Sequence, residues 1–435
     1  MAMDIARVER GPEDHELEIH TARWIAPIQG PLLEGAAIAT FGGTIVEIGP
    51  LKDIRTKYLG RLKDHDQRLL MPGFVNAHCH LELSPLKWRL TPTGSFFQWV
   101  RALVKARDMI EPNEWGRAVE DAIDELLRGG VIALGDVGNT GLIPGLSGVN
   151  WPFWGTHFHE IIAPKGPLPR LPSMVEQALD QTNHFYTALS AHAPYSVSSE
   201  NMVKIKQWTR KWDLPFSIHV AESPEEIQFL KEGKGPVKEI LEERGHWPLE
   251  NPLPSTTPVR YLDSLGILDS QTLCIHCLHV DEEEVEILAR SRASVCFCPR
   301  SNVFLGVGKP NPIPLLEAGV NIALGTDSLA SNDRLSMFAE MSSLASMCPD
   351  LDPEVILEAA TLGGAKALGL DALFGALTKD RVSEILAVPV PALKRSEVFE
   401  YLVNAWSDTL PECYLIRDTE LQGAIDLIPG GVNLS

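Results

Sequence analysis

The sequence has little positive charge and no long apolar run. Its 435 residues include 38 Lys and Arg against 58 Asp and Glu, which gives a net charge of −20 at pH 7. Nucleic acid is not an expected partner, because phosphate binding favours a basic surface. No segment approaches the roughly 20 apolar residues of a membrane-spanning helix. The first 20 residues, MAMDIARVERGPEDHELEIH, also lack the apolar stretch of a signal peptide, so we expect a cytoplasmic protein without membrane contact.

Cysteine is also scarce, and its seven residues are odd in number. They lie in apolar, strand-like segments, which favours reduced thiols over a disulfide framework. The spacings Cys274-x-x-Cys277 and Cys296-x-Cys298 resemble half-sites for structural zinc. Because these pairs lie inside apolar segments rather than loops, we expect them to pack in the core.

The middle of the chain alternates strand-like and helix-like segments. The eight strand candidates are Phe74–His80, Val131–Val137, Thr156–Ile161, Thr187–His192, Phe216–Ala221, Thr272–Cys277, Ser294–Cys298 and Val320–Thr326. Helical patterns lie between them, such as Pro112–Arg128, which opens with proline and stops at two glycines. This alternation predicts an α/β fold, a (β/α)8 TIM barrel over residues 71–370. A doubly wound sheet is the alternative, but the Gly-rich turn expected after its first strand is absent.

The two flanks of the predicted barrel, residues 16–70 and 371–435, contain short β-like runs. These are Leu17–Ala22, Gly35–Thr40, Thr44–Ile48, Ile385–Val390, Tyr401–Val403 and Cys413–Arg417. Neither flank has enough strands to bury a sheet face by itself, so we predict one small β-sandwich formed from both chain ends. The longest segment between barrel strands is 223–271, and we expect it to shape the substrate pocket, because loops after strands form the active face of a barrel.

Two histidines, His78 and His80, end the first strand candidate. Side chains two apart on a strand point to the same face, so this pair can hold one metal ion. His219 on strand five and Asp327 after strand eight complete a set of four ligands at the same mouth. Alone, each has an ordinary alternative, a core histidine or a turn aspartate. Together they predict one divalent metal site, with Zn²⁺ as the first choice and Fe²⁺ as the second.

Several motifs resemble those of the amidohydrolase superfamily in the same order. They are PGFVNAHCH (72–80), HVAE (219–222), HC (276–277) and GTDS (325–328). SAHAPYSVS (190–198), CFCPRSNVFLGVGKPNP (296–312) and ALGTDSLASN (323–332) are similar to those of its cytosine deaminase/chlorohydrolase branch. The HLELS, CPRSN and LASN elements look most like the aminodeoxyfutalosine deaminases of menaquinone biosynthesis. The resemblance covers residues 16–375. Binuclear relatives carry a lysine on strand four, where this chain has His192, which favours a single metal.

The resemblance implies hydrolytic deamination of an aminated purine or nucleoside. Glu222 would protonate the ring nitrogen and help ammonia to leave, although it could also be a solvated glutamate at a helix start. His276 would orient the attacking water beside Asp327, which would serve as both ligand and base. His192 would contact the substrate ring or brace its loop. Glu225 and Glu226 are expected to be solvated acids of the same helix start.

Other pocket candidates rest on their positions near strand ends or on their charge. Glu82 could bind a substrate hydroxyl or amino group, or hold a ligand histidine. Glu160 ends strand three, after His157 and His159, which we interpret as structural. Arg89 and Arg300 are candidates for binding a substrate carboxylate. Phe96, Phe97 and Trp99 are interpreted as helix core rather than as a substrate platform.

Three classes of function remain open. The first is a deaminase, with 6-amino-6-deoxyfutalosine as the preferred substrate and adenosine, S-adenosylhomocysteine or guanine next. The second is a hydrolase that removes chloride or an alkylamine from a heteroaromatic ring. Glu222 favours deamination, because ammonia loss needs a proton donor and chloride loss does not. The third is a non-catalytic scaffold, which the intact ligand set and Glu222 disfavour. The expected partner is a small molecule, and a homo-oligomer is left open.

Overall fold

The computed structural model describes residues 17–146, 151–179, 184–249, 252–406 and 411–417. The expectation of no signal peptide rests largely on residues 1–16, and the predicted C-terminal segment includes 407–410 and 418–435. These positions lie outside the described residues.

Seventeen strands occur in the described parts of the chain. They are β1 (Glu18–Thr21), β2 (Trp24–Ile25), β3 (Leu33–Glu34), β4 (Ala36–Phe41), β5 (Thr44–Pro50), β6 (Arg61–Asp64), β7 (Arg68–Pro72), β8 (Phe74–Cys79), β9 (Val131–Gly138), β10 (Trp154–Ile161), β11 (Phe185–Ala191), β12 (Phe216–Val220), β13 (Thr272–His276), β14 (Ser294–Phe297), β15 (Ile322–Leu324), β16 (Ile385–Pro389) and β17 (Tyr414–Ile416).

The α-helices of the same residues connect these strands or cover them. They are α1 (Leu51–Lys57), α2 (Phe96–Arg107), α3 (Pro112–Arg128), α4 (Leu142–Leu146), α5 (Ser173–Leu179), α6 (Ser199–Lys211), α7 (Pro224–Glu232), α8 (Pro236–Glu243), α9 (Pro258–Ser264), α10 (Glu282–Ser291), α11 (Pro299–Leu305), α12 (Pro312–Glu317), α13 (Met337–Met347), α14 (Pro353–Glu358), α15 (Gly364–Ala367) and α16 (Val398–Asn404). Short 3₁₀-helices lie at Leu81–Leu86 and Arg395–Glu397, and a short π-helix lies at Ala359–Gly363.

The eight central strands form two parallel half-sheets, in the orders β8-β9-β10-β11 and β12-β13-β14-β15. The half-sheets meet at two seams. At one seam the His219 N–H donates to the His192 carbonyl at 2.9 Å, and at the other the Asp327 N–H donates to the His78 carbonyl at 3.1 Å. Gly325 permits the second approach, because a Cβ there would lie 2.6 Å from the His78 carbonyl oxygen. The result is a TIM-barrel-like α/β unit made of two half-sheets rather than one continuous ladder of eight strands.

All eight predicted central strands are present, with ends that differ by up to two residues. Most of their side chains are buried, as expected for parallel strands covered on both faces. Helix α3 has the predicted bounds. It begins with a capping box between Glu111 and Glu114 and a proline in its first turn. It ends before Gly130, which has φ +81° and packs so closely on Leu386 that a Cβ would lie 2.6 Å from that side chain.

Both chain ends contribute to the remaining two sheets, in the orders β5-β4-β1-β6 and β17-β16-β7-β2-β3. The antiparallel pairing of β16 with β7 places Ile385 opposite Pro72 and joins the C-terminal part of the chain to the N-terminal part. Ile38 of the first sheet and Leu70 of the second belong to one buried apolar cluster. The description of this region as a closed β-sandwich, with boundaries at 70 and 371, stays a prediction.

The prediction of a strand at Tyr401–Val403 is wrong, because these residues lie in α16. Val398, Leu402 and Val403 are the buried residues of that helix, and Val398 and Leu402, four residues apart, lie on the same helical face. A three-residue apolar run does not distinguish the two periods.

All seven cysteines lie in described segments and are free thiols, and five of them are buried. Both predicted Cys pairs are buried in apolar clusters, so the core-packing interpretation agrees with the structure. No described helix combines the length and the apolar character that a membrane crossing needs.

Candidate active site

Five predicted side chains meet where the central strands end. His78 lies on β8 and His80 directly follows it, His219 comes from β12 and His276 from β13, and Asp327 follows β15. Asp327 Oδ1 lies 3.7 Å from His78 Nε2 and 3.6 Å from His80 Nε2. The His78 ring centroid lies 4.7 Å from that of His80, 5.0 Å from that of His219 and 6.1 Å from that of His276. The strand order of an α/β unit therefore brings residues about 250 positions apart to one point.

The donor atoms of this cluster and of two neighbours, Glu160 and His192, form overlapping groups that could each hold a cation. The groups are His78, His80 and Asp327; His78, His219 and His276; and Glu160, His192 and His219, with the donor atoms of each group within 4.8 Å of one another. His78 is fully buried, and neither of its ring nitrogens has a hydrogen-bond partner among the described residues. A buried polar atom without a partner is costly. A divalent cation bound by nitrogen and carboxylate donors would remove this cost, so the residues fit such an ion.

The backbone is unusual at the same strand ends. Ala221, His276, Cys277 and Asp327 have φ values of 51°, 75°, 46° and 55°, in the left-handed region that side-chain-bearing residues rarely adopt. Residues in this region carry strain that the surrounding structure must hold in place. Here the left-handed turns end three of the central strands at the cluster, and they fix the direction in which its side chains leave the strands.

Hydrogen bonds to the ring nitrogens give His219 and His276 different tautomers. His219 Nδ1 lies 3.0 Å from the His192 carbonyl, so Nδ1 carries the proton and the Nε2 lone pair is free for a cation. His276 Nδ1 instead accepts from the Asn302 side-chain amide at 3.0 Å. Its Nε2 therefore carries the proton, and this atom lies 3.4 Å from Glu222 Oε1. His219 is arranged as a ligand and His276 as a hydrogen-bond donor.

Burial keeps these imidazoles neutral. It lowers the pKa of His80 and that of His276 to about 3, and it lowers the pKa of His219 well below its usual value. Neutral imidazole is the form that binds a metal. Burial alone would raise the pKa of Asp327, but contact with His78 and the neighbouring histidines holds it well below its usual value. Ser301 Oγ also donates to Asp327 Oδ2, at 2.5 Å.

Glu222 is a buried carboxyl beside this cluster, 7% exposed. Burial raises its pKa well above the usual value, and the nearby Asp327 and Glu226 carboxyls raise it further. Both effects favour the protonated carboxyl, which is the state a general acid needs. Of the two interpretations made from the sequence, the structure places Glu222 at the cluster and not on a solvated helix end.

The expectation that Glu226 is a solvated acid is wrong. Glu226 is 1% exposed, and its Oε2 accepts the backbone N–H of Glu222 at 2.9 Å. Burial is the largest cause that raises its pKa, to about 8. Its Oε1 is buried without a hydrogen-bond partner in the residues described. Ser223 occupies the N-cap of α7 and accepts the N–H of Glu226, so the first turn of α7 folds the carboxyl back under the segment that carries Glu222.

A cavity of about 240 Å³ opens over the cluster. His192, Glu82 and Glu160 line it, as do His80, His219, Glu222, His276 and Asp327. The apolar part of its wall comes mainly from α2 and α8, with Phe96, Phe97, Trp99, Val237 and Leu241 among the lining residues. The three aromatic side chains of α2 are buried in an apolar cluster, as predicted, and they also line the cavity.

Two of the predicted acidic residues lie in the wall with different contacts. Glu82 accepts the N–H groups of Asn139 and Thr140 at 2.9 and 3.1 Å and the Thr140 hydroxyl at 2.7 Å, so it holds the loop that follows β9. Glu160 lies 3.8 Å from His219 Nδ1, and burial raises its pKa. His192 Nδ1 lies 2.6 Å from the Ser196 hydroxyl, which braces its loop while the ring faces the cavity.

The two predicted arginines are not brought to this cavity. Arg89 forms an ion pair with Glu114. Arg300 binds Asn332 and Asp333 and lines a separate surface depression. The arginines in the lining are Arg107 and Arg244 instead. Neither was predicted from the sequence, because each looks like an ordinary cation at the end of a helix.

Asp136 is a further residue that the sequence analysis missed. It is fully buried at the end of β9, and its Oδ1 accepts the N–H of Leu81 at 2.8 Å, directly after His80. Its Oδ2 lies 2.6 Å from His157 Nδ1. His157 thus holds the Asp136 carboxylate, which in turn fixes the backbone next to the predicted ligand His80. The signal available in the sequence was a lone aspartate inside the apolar run VIALGDVG.

The chain belongs to the amidohydrolase family, whose family model matches residues 69–392. It is a hydrolytic enzyme, and the family resemblance found in its motifs is confirmed.

Two relatives are similar over most of their length. An aminodeoxyfutalosine deaminase from Deinococcus radiodurans is 29% identical over 351 residues, which cover 76% of this chain and 81% of that protein. A 5-methylthioadenosine/S-adenosylhomocysteine deaminase from Pelotomaculum thermopropionicum is 28% identical over 375 residues, which cover 80% and 79%.

Two solved structures share the fold. Aminofutalosine deaminase from Helicobacter pylori, in complex with methylthio-coformycin, aligns with a TM-score of 0.76 at 23% identity and covers 89% of this chain and 96% of that one. A zinc-bound adenosine deaminase from Xanthomonas campestris aligns with a TM-score of 0.71 at 24% identity, covering 91% and 89%. At these identities, the likeness establishes the TIM-barrel-like fold.

Proposed function

We propose that this enzyme removes ammonia by hydrolysis from an aminated purine nucleoside. The observation that carries the proposal is the buried carboxyl of Glu222, whose pKa is raised by burial and which lies next to a cluster of buried imidazoles and the Asp327 carboxylate. Two relatives with deaminase names, both between 28% and 29% identical, support the same reaction.

The residues that would hold a divalent metal are His78, His80, His219 and Asp327. The orphaned ring nitrogens of His78 and the proton on His219 Nδ1 support this set. Zn²⁺ is our first choice, because nitrogen and carboxylate donors suit it, and Fe²⁺ is the second. When bound, such a cation would lower the pKa of a water molecule and so supply the nucleophile. Strand β11 leads to His192 rather than a lysine, which supports a single ion.

Asp327, His276 and Glu222 have separate roles in the proposed reaction. Asp327 accepts a proton from the attacking water, while His276 Nε2–H holds that water in line with the ring. Glu222 gives its proton to the ring nitrogen beside the amine-bearing carbon, which makes that carbon more electrophilic. The amine then accepts the proton that Asp327 took from the water and leaves as ammonia, while the new hydroxyl returns a proton to Glu222, so the ring keeps the oxygen as a carbonyl group. Each role needs the protonation state that burial and the hydrogen bonds favour.

Our preferred substrate is 6-amino-6-deoxyfutalosine, an intermediate of menaquinone biosynthesis. The HLELS, CPRSN and LASN elements and the Deinococcus relative support it. Adenosine, S-adenosylhomocysteine, 5-methylthioadenosine and guanine are the alternatives. A chlorohydrolase is less well supported, because an amine needs a proton in order to leave as ammonia, whereas chloride leaves without one.

Ammonia release from the purified, metal-loaded enzyme tests the proposal. We expect release from 6-amino-6-deoxyfutalosine with the highest kcat/KM, slower release from adenosine and guanine, and no chloride release from a chlorotriazine. The proposal fails if none of the aminated purines yields ammonia. If adenosine is the much better substrate, the substrate assignment fails and the deaminase assignment stands.

The finer predictions about the whole protein form part of this proposal. They are a β-sandwich built from both chain ends, a cytoplasmic location, and a small-molecule partner instead of nucleic acid, with a homo-oligomer left open. The acidic net charge of −20 supports the small-molecule partner.

A further inference from the structure

One face of α8 forms part of the cavity wall and ends in a positive charge. The lining residues of this segment are Val237, Ile240, Leu241 and Arg244, and their spacing of three and four places them on one helical face. Val237 and Leu241 are buried in the apolar cluster that also contains the aromatic residues of α2. At 1.5 Å per residue, this face extends about 10 Å from Val237 to Arg244. The wall is therefore apolar along its length and cationic at one end.

The acidic side chains near Arg244 are paired with other cations. Arg101 of α2 binds Glu243 through two hydrogen bonds, at 3.1 and 2.8 Å, and lies 3.5 Å from Glu239. Glu242 pairs with Lys238 on the same helix. These are all the acids of α8. Each of these acids thus has an ion-pair partner other than Arg244, whose charge acts on Glu243 only without direct contact.

Arg107, the other arginine in the wall, is occupied. Its Nη2 donates to Asn139 Oδ1 at 2.5 Å and approaches Glu82 Oε1 at 3.4 Å. Arg244 has no hydrogen bond or ion pair with any side chain in the described segments. It is exposed and lines the cavity together with His246. A planar guanidinium with free donors matches a carboxylate, which it can bind through two hydrogen bonds.

We propose that Arg244 is the residue that recognises an acidic tail on the substrate. The aminated purine ring would lie beside the ligand histidines and Asp327. The substituent of the nucleoside would extend along the apolar face of α8, and its carboxylate would bind Arg244. This inference rests on the proposed function and refines it to nucleosides that carry an acid group. The alternative is that Arg244 binds no ligand and only stabilises α8, because a cation is favourable at the C-terminal end of a helix.

Substrate pairs that differ only in the acid group separate these two roles. The pair is 6-amino-6-deoxyfutalosine and its carboxamide, assayed by ammonia release with wild-type enzyme, Arg244→Gln and the control Lys238→Gln. The control removes one positive charge from the same helix at a residue outside the cavity lining. We expect Arg244→Gln to lower kcat/KM for the acid roughly ten- to a hundredfold, mainly through KM, because the contact is the same in the ground state and the transition state. The carboxamide should change by less than about threefold, and Lys238→Gln should affect neither substrate.

Calorimetric binding of the deaminated products, futalosine and its carboxamide, provides a readout without turnover. The wild-type enzyme should bind the acid more tightly, and Arg244→Gln should remove the difference. Equal effects of Arg244→Gln on both members of the pair, or no effect on either, would overturn the inference. So would equal binding of acid and amide by the wild-type enzyme. The absence of ammonia release from every nucleoside would instead overturn the proposed function, and the binding comparison would still decide the role of Arg244.

Discussion

Glu226 offers a direct test of how the structure supports the proposed acid. Its Oε2 accepts the N–H of Glu222, and its Oε1 is buried and unpaired in the segments described. Replacing Glu226 by alanine leaves that buried N–H without an acceptor, which costs about 1–3 kcal/mol of folding stability. It also frees the segment that positions the Glu222 carboxyl. A displacement of about 1 Å at a reacting group can cost roughly a hundredfold in rate.

We therefore expect Glu226→Ala to lower kcat by about ten- to a hundredfold with little change in KM. Glu226→Gln keeps a carbonyl oxygen as acceptor and resembles the protonated carboxyl, so its kcat near pH 7 should stay within about threefold of wild type. Steady-state ammonia release measures both variants. The reasoning is refuted if glutamine is as damaging as alanine, since the ionisable group itself would then be required, or if alanine retains full activity.

The same side chain predicts a pH dependence of stability. The folded-state pKa of Glu226 is raised from 4.5 to about 8, so the folded protein keeps a proton that the unfolded chain releases. The free energy of unfolding should then fall as pH rises from about 4.5 to 8, with a slope of up to about 1.4 kcal/mol per pH unit from this group. Urea midpoints at pH 5.5 and 7.5 should fall less in Glu226→Gln than in wild type. Equal falls would contradict the buried, protonated state.

Three further outcomes are expected. Glu222→Gln keeps the size of the side chain but removes the proton, so kcat should fall at least about a hundredfold at unchanged metal content, and near-normal turnover would remove Glu222 from the reaction. Metal analysis of the purified protein should give about one equivalent per chain, lost when His219→Ala removes a ligand, whereas two equivalents with a bridging ligand would contradict the single site. Asn302→Asp replaces a donor to His276 Nδ1 by an acceptor, which moves the ring proton from Nε2 to Nδ1. We expect kcat to fall at least about tenfold, with an unchanged circular dichroism spectrum. Full activity would exclude the assigned tautomer.

The sequence was sufficient for the central strands and for the convergence of the histidines. Parallel strands buried on both faces appear as short apolar runs, and a residue at the end of such a run is placed by the strand order alone. His219 and Asp327 could therefore be assigned to the neighbourhood of His78 without knowledge of any side-chain contact.

Residues whose position depends on packing between separate segments could not be predicted. Glu226 has the local pattern of a solvated acid in a first helical turn, and only the folding of α7 against the end of β12 buries it. Arg244 looks like a common cation at a helix end, and the cavity it lines is formed by α2, about 140 residues earlier. Arg89 is close to His80 in sequence, but its ion pair with Glu114 holds it elsewhere.

The pairing of β16 with β7 has a consequence for the order in which the enzyme can assemble during synthesis. The strands are adjacent in the sheet, but the residues between them number roughly 300. At about 5–20 residues per second, the ribosome delivers β16 roughly 15–60 s after β7. Throughout that interval the backbone N–H and C=O groups on one side of β7 have no partner strand. Such unpaired groups can bind a strand of another nascent chain. The residues from Arg68 to Pro72 are thus a part of the molecule that a chaperone would protect during translation.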